Sequence, residues 1–139
     1  MSRTLYADTG ALIALLYQRD QAHQMITEYF RVLRAAGDRL VTSEPVIAET
    51  VTRLRHDAGL SRVTAFRGVI DRAVSQGSLL IRESEPALRR VAFDVIERFS
   101  DLRLSYADAV GAAIAGERRI AAVFGLDNDF RVMGFAVEP

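Results

Sequence analysis

Residues 4–17 read TLYADTGALIALLY: a short apolar run, one acid, and then a longer apolar run. Residues 4–7 have the length and the aromatic and β-branched content of a strand. Residues 9–17 have the pattern of a helix that begins directly after Asp8. A strand that passes into a helix through one acidic residue is the first half of a βαβ unit, so this stretch predicts an α/β fold.

The rest of the chain repeats this alternation. Further strands are predicted at 40–42, 79–82, 120–124 and 135–137, and helices at 9–17 and 21–36, from Ser43 to 58, from Ser61 to 77, from Pro86 to 99, from Ser105 to 118 and from Asp127 to 132. Strands separated by helices imply right-handed crossovers and a mostly parallel sheet. We therefore expect a three-layer α/β/α architecture in a single domain covering residues 1–139.

The composition excludes several classes of site. The chain has 139 residues, of which 50% are hydrophobic and 26% charged, with zero formal net charge and no cysteine. Disulfides, thiolate zinc sites and cysteine nucleophiles are therefore absent. The apolar run at 11–17 is too short to span a bilayer and follows an acid rather than a basic segment, so it is not a signal peptide. We expect a cytoplasmic protein with no membrane contact.

All eighteen basic residues are arginine. The lack of lysine excludes Schiff-base chemistry and the P-loop lysine, and it disfavours receiver domains and related phosphatases. Residues 53–103 hold ten arginines against seven acids, whereas both flanking segments are net acidic. This pattern fits a phosphate-binding surface beside an acidic pocket. Genomic base composition would equally give arginine in place of lysine, and a solvated helix face would give the same uneven charge distribution.

Acidic residues follow the predicted strands at their carboxyl ends. Asp8 follows the first strand, Asp127 and Asp129 follow the fourth, Asp108 lies in the first turn of a helix, and Glu49 lies in the second turn of the helix after the second strand. In parallel sheets ligands bind outside the carboxyl ends of the strands. We therefore expect these acids to converge at one edge of the sheet.

Each acid also has a purely structural interpretation. Asp8 can cap the helix behind it. Asp108 would close a capping box with the serine three residues earlier, and Asp127 suits the turn before a short helix. Glu49 can pair with Arg53 one helical turn later. The structural interpretation requires these separate features to fall around the same edge by coincidence.

A cluster of carboxylates calls for a cation, because the charges repel one another unless they are neutralised. The two histidines, His23 and His56, lack ligand spacing and are expected on the surface. Oxygen ligands alone favour Mg²⁺ or Mn²⁺ over zinc. Thr9 can add a hydroxyl that orients a carboxylate or water, and Tyr106 either packs or stacks on a nucleobase.

Four segments, in order, resemble the motifs of PIN domains. They are DTGAL at 8–12, SEPVIAET at 43–50, SYADA at 105–109, and GLDNDF at 125–130 followed by GFAV at 134–137. The resemblance runs almost end to end, at the length of VapC-type toxins from bacterial toxin–antitoxin pairs. The chain departs from the pattern at Gly125, where the closing motif more often has threonine or serine. Glu44 is a second acid close to Glu49.

The resemblance implies a Mg²⁺- or Mn²⁺-dependent endoribonuclease that cleaves structured RNAs such as tRNA or rRNA. It also implies a homodimer, held inactive by a cognate antitoxin whose tail covers the acidic pocket. Asp8, Glu49, Asp108 and Asp127 match the metal-binding acids of the family, and Asp129 matches an auxiliary acid.

The mechanism expected on this basis is hydrolysis by metal-activated water, with no side-chain nucleophile. Asp8, Asp108 and Asp127 would bind the metal directly, while Glu49 and Asp129 would hold waters or a second ion. Arginines of the basic middle, for example those at positions 53 and 67, would contact the RNA backbone.

Two alternatives remain open at the level of sequence. One is a PIN-type nuclease outside any toxin pair, acting in RNA maturation or on DNA. The other is a non-catalytic binding module in which the acids serve only as caps and turns.

Overall fold

Five strands form the centre of the molecule: β1 (Thr4–Ala7), β2 (Arg39–Ser43), β3 (Leu79–Arg82), β4 (Ile120–Phe124) and β5 (Val137–Glu138). They lie in one sheet of order β3-β2-β1-β4-β5, and every neighbouring pair is parallel. The computed structural model describes all of residues 1–139. The α/β class and the parallel sheet expected from the sequence are confirmed.

Seven helices connect the strands: α1 (Thr9–Leu16), α2 (His23–Ala35), α3 (Glu44–Asp57), α4 (Leu60–Ser75), α5 (Pro86–Arg98), α6 (Tyr106–Ala115) and α7 (Asn128–Val132). The chain moves from β1 to β3 in one direction along the sheet and then crosses back to β4. Right-handed crossovers therefore place α1–α4 and α5–α6 on opposite faces, which gives the expected three layers. None of these helices combines the length and apolar character needed to cross a bilayer.

Helix α6 is buried over most of its length and packs against the central strands β1, β2 and β4. Leu5, Tyr6 and Ala7 of β1 are fully buried, as expected for a central parallel strand covered on both faces. Gly111 of α6 faces Tyr6 so closely that an added Cβ would lie 2.7 Å from the ring atom Cε1. The Tyr6 hydroxyl is hydrogen-bonded to Ser43 Oγ at 3.0 Å. The close approach of Gly111 seats α6 on β1, and the hydrogen bond joins the carboxyl ends of β1 and β2.

Two helix starts differ from those expected. α2 begins at His23 rather than at residue 21, because Asp20 forms a turn before the helix by accepting a backbone N–H two residues later at 2.8 Å. α4 begins at Leu60, since Gly59 has a positive φ of 89° that ends the preceding turn, and the expected cap Ser61 lies inside the helix. Glycine adopts this conformation without steric cost.

Two further boundaries lie a few residues away from their expected places. α6 ends at Ala115 instead of continuing to residue 118. The last strand is Val137–Glu138 rather than 135–137, and it pairs with the end of β4. Neither difference moves a candidate site residue.

Candidate metal centre

Three acids meet where the strand order reverses. The chain places β2 on one side of β1 and β4 on the other, so a crevice opens beyond the carboxyl ends of β1 and β4. Asp8 directly follows β1, Asp127 is the residue before α7, and Asp108 lies in the first turn of α6. One carboxylate oxygen from each of the three lies within 4.8 Å of the others. We call these three residues the acid triad.

Asp8 is the buried member of the triad. It is 4% exposed, its side chain makes no capping hydrogen bond to α1, and its Oδ1 atom is buried with no hydrogen-bond partner. Burial raises the pKa of Asp8 to about 7; the backbone N–H of Thr9 opposes this rise, and the charges of the neighbouring acids add to it. Helix capping therefore does not explain why an acid is buried at position 8.

Asp108 caps α6 with one carboxylate oxygen and keeps the other oxygen available. Its Oδ2 accepts the backbone N–H of Ser105 at 3.0 Å, and its own N–H donates to Ser105 Oγ at 3.0 Å, which is the capping box expected from the sequence. This box engages one carboxylate oxygen and leaves the other available. Partial burial raises the pKa of Asp108, the hydrogen bonds from Ser105 lower it, and the charges of Asp127 and Glu49 raise it further.

Asp127 is held by the turn that opens α7. Its Oδ1 accepts the backbone N–H of Asp129 at 2.9 Å, so its second oxygen remains available. Asp129 is half-buried beside the triad without being one of its three members. Desolvation raises the pKa of Asp129, and the charges of Asp127 and Asp108 raise it further.

Glu49 is tied to the triad through Thr9. The Thr9 hydroxyl donates to Glu49 Oε2 at 2.9 Å, and the charge of Glu49 raises the pKa of both Asp8 and Asp108. The alternative of an ion pair between Glu49 and Arg53 is wrong, because Arg53 is exposed and takes part in none of the five ion pairs of the structure.

Gly125, the residue after β4, packs against the side chain of Asp8. A Cβ at this position would lie 3.2 Å from Asp8 Cβ and 3.8 Å from Asp8 Oδ2. A serine or threonine would therefore need a shift of a few tenths of an ångström in Asp8, and glycine removes that crowding. Glu44, the other acid of the second motif, is exposed at the start of α3 and lies outside the triad.

The negative charge of the triad has no counterion within the protein. None of its members takes part in any of the five ion pairs. Oxygens of one octahedral Mg²⁺ shell lie up to about 4.2 Å apart, so the spacing in the triad matches such a shell after small side-chain rotations. The unpartnered buried oxygen of Asp8 and the all-oxygen donor set fit a hard divalent cation.

The remaining sequence candidates lie outside the triad. His56 is exposed as expected, but the expectation for His23 is wrong: it is half-buried, and its Nδ1–H donates to the carbonyl of Ala14 at 2.6 Å. Arg67, like Arg53, is exposed.

Tyr106 is half-buried, and its ring centroid lies 6.0 Å from that of Phe93, an exposed residue of α5.

Comparison with known proteins gives one family. The model of the PIN domain matches residues 5–136. The structure is similar to that of the Mycobacterium tuberculosis VapC20 toxin, which cleaves the sarcin–ricin loop, with a TM-score of 0.79, 22% identity, and coverage of 95% of this chain and 96% of that chain. It is also similar to VapBC2 from Rickettsia felis, bound to a DNA fragment from its promoter, with a TM-score of 0.69, 12% identity, and coverage of 97% of each chain. No curated protein matches the chain significantly by sequence. The match over residues 5–136 shows that the chain belongs to the PIN-domain family.

Proposed function

We propose that this protein is a Mg²⁺- or Mn²⁺-dependent endoribonuclease that acts as the VapC-type toxin of a toxin–antitoxin pair. The observation that carries the proposal is the acid triad, with a buried Asp8 oxygen that has no hydrogen-bond partner and no counterion, in a PIN-domain chain. If these acids served only as helix caps, Asp8 would make a capping hydrogen bond. It is buried and makes none.

In this proposal Asp8, Asp108 and Asp127 hold the cation. Two of them are already oriented by hydrogen bonds, Asp108 by its capping box and Asp127 by the turn into α7, and each keeps one oxygen available. When bound, a divalent cation would lower the pKa of a coordinated water and stabilise negative charge on the phosphate. Orientation in advance matters because a misplaced ligand weakens metal binding.

Glu49 and Asp129 form the outer part of the proposed site. The Thr9 hydroxyl holds one oxygen of Glu49, and this leaves the other oxygen to accept a hydrogen bond from a water at the edge of the pocket. Asp129 is half-buried beside Asp127 and can orient a second water. Water is the proposed nucleophile: its oxygen bonds to phosphorus, the bond from phosphorus to one ribose oxygen breaks, and that ribose leaves as a hydroxyl after taking up a proton.

RNA is the proposed substrate, with a cognate antitoxin as the regulatory partner and a homodimer as the assembly. The similarity of fold to a toxin that cleaves the sarcin–ricin loop supports the substrate, and the similarity of fold to VapBC2 supports the antitoxin. The exposed Arg53 and Arg67 are proposed to contact the RNA backbone, because guanidinium groups bind phosphate in bidentate fashion. A cytoplasmic location follows from such a substrate.

The direct test is RNA cleavage by the chain purified free of antitoxin. Asp8→Asn and Asp108→Asn should each lower the rate by about 100-fold or more with Mg²⁺ or Mn²⁺ present, since each removes a charged ligand. Asp71→Asn, which changes an exposed acid on α4, is the matched control and should cleave normally. Full activity in both triad variants, with unchanged circular dichroism, would refute the proposal.

Two measurements separate the proposal from its alternatives. A small reading frame immediately upstream, whose product binds the chain and blocks cleavage, distinguishes a toxin from a nuclease of RNA maturation. Parallel assays with single-stranded DNA test for a DNA substrate. Calorimetry that detected no binding of Mg²⁺ or Mn²⁺ would favour a non-catalytic module.

A further inference from the structure

Tyr6 is a fully buried tyrosine of the central strand β1 that is not a member of the acid triad. A leucine or a phenylalanine would fill the core equally well, whereas a tyrosine brings in a hydroxyl that must find a hydrogen-bond partner. The ring and the hydroxyl contact elements that carry acids of the candidate metal centre.

The Tyr6 ring lies between β1 and α6, close to two members of the triad. The Asp8 N–H donates to the Phe124 carbonyl at 3.0 Å, so the extended strand continues through Asp8, and Tyr6 shares a face with it. Gly111 follows Asp108 by three positions and shares its face of α6. A Cβ on Gly111 would lie 2.7 Å from Tyr6 Cε1 and 3.1 Å from its hydroxyl oxygen. This contact therefore sets how closely α6 approaches β1 next to the two acids.

The Tyr6 hydroxyl joins β1 to the start of α3. It is hydrogen-bonded to Ser43 Oγ at 3.0 Å, and both residues are fully buried. Ser43 is the N-cap of α3, where its Oγ accepts the backbone N–H of Val46 at 3.4 Å. Glu49 lies farther along the same helix. The helix that carries Glu49 is therefore linked to the neighbourhood of Asp8 at two points, by the Tyr6 hydroxyl and by the hydrogen bond from Thr9.

The electrostatics of Tyr6 agree with this placement. Burial raises the pKa of Tyr6, and the hydrogen bond with Ser43 lowers it. The charges of nearby acids raise it further, with Asp8 contributing most, followed by Asp108 and Glu49. The only side-chain hydrogen bond of Tyr6 is the one to Ser43, so Tyr6 affects the carboxylates through the elements that carry them.

We propose that Tyr6 is a positioning residue of the metal centre. Its ring sets the spacing between Asp8 and Asp108, and its hydroxyl, through Ser43, holds α3 in place. The inference rests on the proposed metal-dependent function and adds a residue that touches neither cation nor substrate. Loss of the hydroxyl should weaken cation binding, because ligands that are less well fixed in advance lose more conformational freedom when they bind.

The test is Tyr6→Phe, which keeps the ring against Gly111 and removes only the hydroxyl. Calorimetry should show that the variant binds Mn²⁺ about 10-fold more weakly than the wild-type protein, the low end of the effect of groups that support metal ligands. RNA cleavage should need about 10-fold more Mn²⁺ for its half-maximal rate. At saturating Mn²⁺ the rate should approach that of the wild-type protein.

Thr50→Val is the matched control. Thr50 is fully buried in α3, and its hydroxyl donates to the carbonyl of Val46 at 2.7 Å, so this hydrogen bond stays within one helix. The substitution removes a buried hydroxyl without removing a link between elements. Urea unfolding in EDTA measures the loss of stability in both variants, and Thr50→Val should bind Mn²⁺ with the wild-type affinity.

Ser43→Ala tests the route of the effect, because it removes the partner of the Tyr6 hydroxyl. It should also weaken Mn²⁺ binding, and the double variant with Tyr6→Phe should bind no more weakly than Ser43→Ala alone, since both changes break the same hydrogen bond. Additive losses in the double variant would contradict the role of Ser43.

Two further results would overturn the positioning role. They are a Tyr6→Phe variant that binds Mn²⁺ as tightly as the wild-type protein, and a loss of affinity that Thr50→Val shares. Either result leaves the ribonuclease proposal standing, because that proposal is judged by cleavage in the triad variants. A wild-type protein that binds no Mn²⁺ would instead refute the metal centre and the positioning role together.

Discussion

Replacing Asp8 with asparagine should stabilise the metal-free protein at pH 8, although the change removes a residue of the proposed site. Asp8 is 4% exposed, and its pKa rises from 3.8 to about 7 in the folded protein. A shift of about three units corresponds to about 4 kcal/mol of unfavourable free energy for the ionised form. Because the site can relax and admit water, we expect a measured gain of about 2–4 kcal/mol.

The pH dependence follows from the direction of this shift. Between about pH 4 and pH 7 the folded protein retains a proton on Asp8 that the unfolded chain has lost. The free energy of unfolding contributed by this group therefore falls as the pH rises through that window, and it is constant above it. Asp8→Asn cannot titrate, so its advantage should be small at pH 4 and complete at pH 8.

Urea unfolding followed by circular dichroism, in EDTA at pH 4, 6 and 8, measures both effects. Asp71→Asn, at an exposed position, controls for the loss of one negative charge. Added Mg²⁺ or Mn²⁺ should stabilise the wild-type protein and have a much smaller effect on Asp8→Asn, because a ligand that binds only the folded state stabilises it. An Asp8→Asn variant less stable than wild type at pH 8 in EDTA would refute the electrostatic reasoning.

Three other substitutions test the surroundings of the triad. Thr9→Val removes the donor that holds Glu49 and should lower the RNA cleavage rate by about 10-fold or more with the fold retained; an unchanged rate would show that this hydrogen bond does not matter for activity. Ser105→Ala removes the α6 cap and should cost about 1 kcal/mol in urea unfolding as well as slowing cleavage, and a fully stable, fully active variant would contradict this. Gly111→Ala should destabilise the protein by about 1–3 kcal/mol, since its Cβ would lie 2.7 Å from Tyr6; an unchanged urea midpoint would show that the ring moves aside freely.

The sequence predicts the triad well because local signals position each member. Asp8 follows a strand, Asp108 sits in a capping box, and Asp127 opens a turn, and all three motifs are visible without a structure. The alternation of strands and helices then brings them to one edge, since parallel strands share the same carboxyl side.

Contacts between separate elements are what the sequence could not predict. The sequence predicts that the Thr9 hydroxyl can orient a carboxylate, but it does not identify Glu49, forty positions away, as the partner, because the only neighbour it offers Glu49 on its own helix is Arg53. His23 lies against the carbonyl of Ala14 because α2 packs back on α1, a geometry that no local pattern specifies.

Anomalous diffraction from crystals grown with MnCl₂ tests the central claim most directly. Our account predicts a manganese peak in direct contact with carboxylate oxygens of Asp8, Asp108 and Asp127, and no such peak in crystals of Asp108→Asn. Well-ordered wild-type crystals with no peak at the triad, at a manganese concentration that supports RNA cleavage, would contradict it.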